Sequence, residues 1–333
     1  MEKISVIGAG SWGTTLSILL ARKKRNVEIY SVEREHNLSL QKDRENKLFL
    51  KGIKFPPCLK VNLSLKEALE NRIIVIAIPV KFLRKIVKRI KRVGIQGKEK
   101  IFVSVAKGIE TSSLLTPSAI IKEELGEVKV GVLSGPTIAK EVVKGIPTTC
   151  VIASQDITLA KSLQEIFTTD RFRVYVHDDV LGVELGGALK NIIAIACGIA
   201  DGLGLGTNTK AALITRGLAE IIRLGKKMGA DSLTFNGISG LGDLTTTCFS
   251  PYSRNRFIGE EIGRGKKLKD ILQKMKMVAE GVETVKSAFS LSKKFDVEMP
   301  ITHQVYYVLY KNKSPQRAVD DLMNRPLKSE WEG

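Results

Sequence analysis

Apolar positions fall into two regimes along the chain. As far as His177, short β-branched runs alternate with stretches of helical spacing. This predicts strands over Lys3–Ile7, Asn26–Tyr30, Ile73–Ala77, Ile101–Val105, Lys129–Leu133, Thr149–Ala153 and Phe172–Val176. The clearest helix between them is Lys81–Arg92, where Phe82, Leu83, Ile86, Val87 and Ile90 form one stripe and Arg84, Lys85, Lys88 and Arg89 face away. Such a helix covers one face of a sheet or, as a rarer use, lies on a membrane surface. Strand–helix alternation predicts an α/β fold with a doubly wound, mostly parallel sheet.

Past His177 the strand-like runs stop. Helical spacing continues over Asp179–Ala200, Thr207–Met228, Ser253–Arg264, Gly281–Lys294, Thr302–Tyr310 and Pro315–Met323. The expected organisation is an α/β domain over 1–178 and an all-helical domain over 179–333, with no internal repeat or low-complexity linker.

Composition narrows the class. With 333 residues, 43% of them hydrophobic, the chain can bury a sizeable core in about two domains. Its formal charge of +18 suits nucleic acid, an anionic membrane surface or an anionic substrate. The cations recur along the whole chain rather than in one tail, which argues against nucleic acid as the partner. Cys58, Cys150, Cys197 and Cys248 form no CxxC pair, and His36, His177 and His303 are scattered, so neither a disulfide framework nor a metal site is expected. The first residues lack a signal peptide's basic region and length, and no run of about 18 apolar residues occurs. A soluble, cytoplasmic protein without stable membrane insertion is the expectation.

The first strand runs into Gly8-Ala9-Gly10-Ser11-Trp12-Gly13, a GxGxxG loop, and helix-like Thr14–Arg22 follows. Gly8 permits the tight turn, Gly10 the approach of a pyrophosphate and Gly13 close packing of helix on strand. The helix N-terminus then offers free N–H groups to phosphate. Glu33 follows the second strand at the spacing of a ribose 2′-hydroxyl acceptor. A Rossmann-like dinucleotide domain is the reading, with a structural glycine turn as the bland alternative. Glu33 favours NAD, since a carboxylate repels a 2′-phosphate, whereas adjacent Arg34 leaves NADP open. The Gly-Lys-Lys sites at Gly225–Lys227 and Gly265–Lys267 lack the glycine and hydroxyl of a P-loop.

In the helical half, Lys190 lies within Leu185–Cys197, a segment apolar on nearly all helical faces. Its neighbours three and four positions away, Gly186, Gly187, Ile193 and Ala194, cannot pair with an ammonium. A buried lysine has a shifted pKa and suits proton transfer; a distant salt bridge or a snorkelling side chain is the alternative. Gly237–Thr247 is glycine-rich and carries Asp243, which alone reads as a helix cap. Ser253-Arg254-Asn255-Arg256 opens a helical pattern with Ser253 as N-cap, a suitable phosphate site or an ordinary helix start. Lys107 and the turn Ser134-Gly135-Pro136-Thr137 each follow a predicted strand, where open α/β sheets face their ligands.

Together these segments resemble the NAD(P)-dependent sn-glycerol-3-phosphate dehydrogenase family. The likeness rests on GAGSWG at 8–13, AKG at 106–108, SGPT at 134–137, GGALKN at 186–191, DGLGLGTNTKAALITRGLAE at 201–220, GLGDL at 240–244 and SRNR at 253–256. They span nearly the whole chain, and the combination is far more specific than any one piece. The resemblance implies reversible reduction of dihydroxyacetone phosphate with NAD(P)H. Lys190 would exchange a proton with the carbonyl oxygen, and Lys107 would position substrate beside the cofactor. Asp243 would contact a substrate hydroxyl or orient Lys190. Ser253, Arg254 and Asn255 would hold the phosphate, with Arg254 also near the cofactor. Gly135, Thr137, Asn191 and Thr247 would line the substrate pocket. Ser11, Trp12, Ala139, Val278 and Glu280 match cofactor contacts. Val32 stands where members often carry a basic residue or His, which weighs against a strong NADP preference. The family further implies a homodimer and a role in supplying the phospholipid backbone.

Two other readings compete. A related two-domain dehydrogenase for a β-hydroxy acid or a ketopantoate-like substrate would also use a helix lysine, but does not require a phosphate site at Ser253–Arg256. A non-catalytic dinucleotide sensor with a nucleic-acid-binding surface would keep the glycine loop but has no use for a buried Lys190.

Overall fold

The computed structural model describes residues 3–23, 25–94, 99–275 and 278–330. The chain divides into two compact units, Met1–Ala106 with Pro117–Val180, and Lys107–Thr116 with Leu181–Gly333. A single break after residue 178 does not describe this division, because the ten residues following the fifth strand belong with the helices.

The first unit is built on one eight-stranded sheet of β1 (Lys3–Ile7), β2 (Asn26–Tyr30), β3 (Leu59–Val61), β4 (Ile73–Ile76), β5 (Ile101–Ser104), β6 (Lys129–Ser134), β7 (Thr148–Ala153) and β8 (Phe172–His177), in the order β3-β2-β1-β4-β5-β6-β7-β8. All neighbours are parallel except β6 and β7. Every residue of β4 and β5 is buried, as expected of strands covered on both faces. Connecting helices are α1 (Ser11–Arg22), α2 (Arg34–Asp43), α3 (Leu65–Ala68), α4 (Val80–Val93), α5 (Pro117–Leu125), α6 (Ala139–Val143) and α7 (Ile157–Phe167). The seven predicted strands are present with ends shifted by at most a residue. The edge strand β3 was not predicted: three residues behind Pro56-Pro57 are too few to show a period. Helix α4 buries Leu83, Ile86, Val87 and Ile90 and leaves Lys85, Arg89 and Phe82 exposed.

The second unit contains α8 (Val180–Gly202), α9 (Thr207–Lys227), α10 (Asp243–Phe249), α11 (Arg254–Gly263), α12 (Leu268–Lys274), α13 (Glu280–Lys294), α14 (Pro300–Tyr310) and α15 (Pro315–Met323). A 3-10 turn, Ser232–Asn236, and a π turn, Ile238–Gly242, precede α10. Helix α8 is the axis of this unit's core. It is long and apolar enough to cross a membrane (mean hydropathy 1.6), which corrects the expectation that no such segment exists. Glu184, Lys190 and Asn191 interrupt the apolar run without lowering its average much, and 89% of the window is buried within the protein, as in a soluble core helix. Glycines let other backbones reach α8. A Cβ on Gly198 would lie 2.0 Å from the Arg256 carbonyl oxygen, and one on Gly259 2.0 Å from that of Ile195, so α8 and α11 pack backbone to backbone. The strand-exit segment joins this core, with Ile109 buried in it and its carbonyl accepting from Ser287 Oγ at 2.9 Å.

Candidate active site

In the first unit, β1 is followed directly by Gly8, whose φ of +115° favours glycine. A Cβ there would sit 2.4 Å from the Ala77 carbonyl oxygen, and one on Gly13 1.9 Å from that of Gly8. These two glycines are demanded by the protein's own backbone. Gly10 differs: a Cβ there would meet nothing within 4 Å. Helix α1 starts at Ser11 rather than Thr14, and its first bond runs from the Thr14 N–H to the Gly10 carbonyl at 3.0 Å. The N–H groups of Ser11, Trp12 and Gly13 therefore have no acceptor within the helix. An open approach over Gly10 toward a helix N-terminus fits a dinucleotide's pyrophosphate.

Of the other predicted cofactor residues of this unit, Ser11 and Trp12 belong to that loop and Ala139 touches the helix behind it. Ser11 Oγ donates to the Phe49 carbonyl at 2.8 Å, and the Trp12 ring lies 6.3 Å from that of Phe172. Ala139 opens α6 and its carbonyl accepts from Thr15 Oγ1 of α1 at 3.3 Å. Glu33 is exposed at the N-cap of α2 without capping it through its side chain. Gly135 has φ +139° and its carbonyl accepts from Thr137 Oγ1 at 3.1 Å, so the SGPT turn is closed locally.

One residue absent from the predictions holds the glycine loop. Asn46, fully buried, donates Nδ2 to the Ala9 carbonyl and to Thr14 Oγ1, both at 2.8 Å. Its Oδ1 accepts from the Phe49 N–H at 3.1 Å and lies 3.3 Å from His36 Nε2. An isolated Asn in a turn-like stretch carries no sequence signal for this role.

In the second unit, Lys190, Lys107 and Asp243 meet. Lys190 is 6% and Asp243 2% exposed. Lys190 Nζ lies 2.8 Å from Asp243 Oδ1 and donates to Thr247 Oγ1 at 2.6 Å. Lys107 Nζ contacts the other oxygen, Oδ2, at 2.6 Å. Thr247 Oγ1 donates in turn to the Asp243 carbonyl at 2.6 Å. Asp243 is thus the first residue of α10, not its cap. Its carboxylate is shared between two ammonium groups instead of closing the helix. A Cβ on Gly186 would come within 2.8 Å of the Ser239 carbonyl, so this glycine, one turn before Lys190, lets the π turn bring Asp243 onto α8. Burial holds the Lys190 ammonium down at a pKa of about 8; Asp243 opposes that shift and Lys107 adds to it. A lysine so poised can give or take a proton near neutral pH.

Beside it, Asn191 and Asn255 are buried and joined, Asn255 Nδ2 donating to Asn191 Oδ1 at 2.8 Å. Asn255 Oδ1 accepts from the Gly281 N–H at 3.1 Å, which fixes the start of α13. Ser253 caps α11 as predicted, accepting from the Arg256 N–H at 3.2 Å. Exposed Arg254 donates to the Val278 carbonyl and feels the charge of Glu280, so these three predicted residues are neighbours. Arg256 is committed elsewhere, with Nε on Asp201 at 2.7 Å. Among the described residues no group of three His, Cys, Asp or Glu side chains is placed to hold a metal ion.

Both halves of the chain match one family. Residues 3–160 match the NAD-dependent glycerol-3-phosphate dehydrogenase N-terminus, and residues 179–320 its C-terminus. A glycerol-3-phosphate dehydrogenase (NAD(P)+) of Citrifermentans bemidjiense is 50% identical, with 99% of each chain covered. That of Chlorobium chlorochromatii is 47% identical over 98% of this chain and 99% of its own. The crystal structure of glycerol-3-phosphate dehydrogenase from Coxiella burnetii superposes with a TM-score of 0.93 at 39% identity, covering 97% of this chain and 99% of that one. The chain belongs to the NAD-dependent glycerol-3-phosphate dehydrogenase family.

Proposed function

We propose that this chain reversibly reduces dihydroxyacetone phosphate to sn-glycerol 3-phosphate with NADH or NADPH. In a chain of this family, the observation that carries the reading is the buried Lys190, held on Asp243 beside Lys107 with its pKa lowered to about 8.

When bound, the reduced nicotinamide supplies the hydride. Lys190 gives its proton from Nζ to the substrate's carbonyl oxygen as that oxygen gains charge, and takes it back in the oxidative direction. Asp243 orients both ammonium groups, and Lys107 polarises the same oxygen. Thr247 fixes the Lys190 rotamer through its hydroxyl. The start of α11, with Ser253 and Arg254, takes the substrate phosphate, where helix dipole and guanidinium act together. Asn255 contributes by holding that helix start against Asn191 and Gly281. Gly135, Thr137 and Asn191 complete the substrate pocket. Gly8, Gly10, Ser11, Trp12, Gly13, Glu33, Lys107, Ala139, Arg254, Val278 and Glu280 serve the dinucleotide, and Glu33 tips the choice weakly toward NAD. The same reading includes a homodimer in the cytoplasm whose product feeds phospholipid backbones. Nucleic acid plays no part in it.

The test follows loss of nicotinamide absorbance with dihydroxyacetone phosphate for wild type and Lys190→Ala, using NADH and NADPH separately. Turnover should fall by about 10²–10⁴-fold in the variant while dinucleotide binding persists. A folded wild type that binds dinucleotide and does not turn over this substrate overturns the reading.

A further inference from the structure

The second unit contains a cavity of about 400 Å³ that plays no part in the chemistry above. Its wall is apolar: Ile199 and Ala200 of α8, Leu213 of α9, Val305 and Val308 of α14, Leu322 of α15. Arg216, Arg223 and Arg325 also line it, with Glu220 the only carboxylate among the lining residues. Glu220 is committed, accepting from the Ile301 and Thr302 N–H groups at 2.5 and 3.1 Å and from Thr302 Oγ1 at 2.9 Å. Arg223 feels the attraction of Glu220 and Glu298 ahead of the repulsion of Arg216 and Arg325. Glu298 tempers them by accepting from Arg325 and Lys328 on its carboxylate and from Arg223 on its carbonyl. Arg216 makes one hydrogen bond among the described residues, Nη1 to the Glu330 carbonyl at 2.8 Å.

A hydrocarbon-walled space with three guanidinium groups and one carboxylate on its lining is complementary to a molecule with an apolar chain and an anionic head. We propose that this cavity binds a single-chain amphiphile with a carboxylate or phosphate head, the chain between α8, α9, α14 and α15 and the head on Arg216 and Arg325. The volume lies low in the range of small-molecule sites, about 300–1,000 Å³, which suits one chain and not a two-chain lipid. Guanidinium recognises both head types through paired N–H donors. The wall includes α8 downstream of Lys190, but the inference concerns binding alone and stands apart from the dehydrogenase reading.

The experiment is calorimetric titration of the whole protein with decanoate and with decyl phosphate below their micellar concentrations. Both should bind; whichever binds tighter identifies the head the site prefers. Octanoate should bind more weakly by roughly tenfold, the effect of two methylenes. Methyl decanoate, with no charge, and the variants Arg216→Gln and Arg325→Gln should each weaken binding by about tenfold. Ala212→Trp, at the exposed mouth, should abolish it while the circular-dichroism melting curve stays as in wild type. The inference is overturned by no heat with either anion, or by binding indifferent to head charge and to Ala212→Trp. It is equally overturned if Ala212→Trp changes the sedimentation mass and wild type binds neither anion, because the face is then covered by a second copy of the chain.

Discussion

Replacing Asp243 by Asn removes one charge from the buried triad with little change in shape. On the proposed mechanism reduction needs protonated Lys190, so its rate should fall as pH rises through about 8, while the oxidative direction gains over the same interval. Asp243 Oδ1 lies 2.8 Å from Lys190 Nζ. At an effective dielectric constant of about 20, that contact favours the ammonium by at most ~6 kcal/mol, or ~4 pKa units. The asparagine oxygen still accepts a hydrogen bond and water enters more freely, which reduces the shift. The charge on Lys107, no longer neutralised, adds to it. A drop of about two units takes Lys190 from about 8 to about 6. At pH 7.5 the protonated fraction then falls from about 0.76 to about 0.03, a loss of about 25-fold in the rate of reduction. At pH 5.5 most of that loss should be recovered. The assay is kcat/KM for dihydroxyacetone phosphate from pH 5.5 to 9.5 for both proteins. A loss uniform across that range, with both midpoints near 8, refutes the view that Asp243 sets the charge of Lys190.

Four further outcomes are expected. Gly186→Ala forces the Ser239 carbonyl away from α8, costing about 1–3 kcal/mol by thermal melting, and lowers kcat more than it raises KM, since the loop moved carries Asp243. Gly10→Ala should melt as wild type yet bind NADH more weakly, whereas Gly8→Ala, strained at φ +115° and 2.4 Å from a carbonyl, should lose stability; equal melting points for the two contradict the division of roles. Burial raises the Glu220 pKa from 4.5 to about 7, so its stabilising contribution is complete below 4.5 and disappears as pH rises through 7. Glu220→Gln should therefore gain on wild type between those limits by on the order of 3 kcal/mol, and denaturation curves running parallel in pH would refute this. Asn46→Ala leaves the Ala9 carbonyl without its donor and should raise KM for the nicotinamide more than kcat falls, at about 1–3 kcal/mol in stability.

How much of this was legible depended on the range of the interactions. Strands β4 and β5 announce themselves because a buried parallel strand is a near-continuous apolar run rich in β-branched residues, and α4 because one stripe repeats with the helical period. The three-residue β3 and the π turn at Ile238–Gly242 show no period, and neither was foreseen. The glycine loop and the Ser253 cap are local constraints of backbone geometry, and both stand where the residues placed them.

The cluster of Lys190, Asp243 and Lys107 was written in the chain only as an incompatibility. Lys190 sits on an all-apolar helix whose own neighbours are Gly186, Gly187, Ile193 and Ala194, so a partner had to come from elsewhere. Nothing local says that the partner is Asp243, because an acid behind glycines at a helix start is equally a cap. Lys107 and Asp243 stand 136 residues apart and pair only because the strand-exit segment joins the helical core. The same holds for Asn46, which reaches Ala9 across 37 residues, and for Glu220, which serves the first turn of α14 across 81. Periodicity and backbone sterics act over a few residues and can be read along the chain. Electrostatic pairing and desolvation depend on which surfaces meet in space, and only the packing of helices around α8 brings a buried lysine, its carboxylate and a second ammonium into contact.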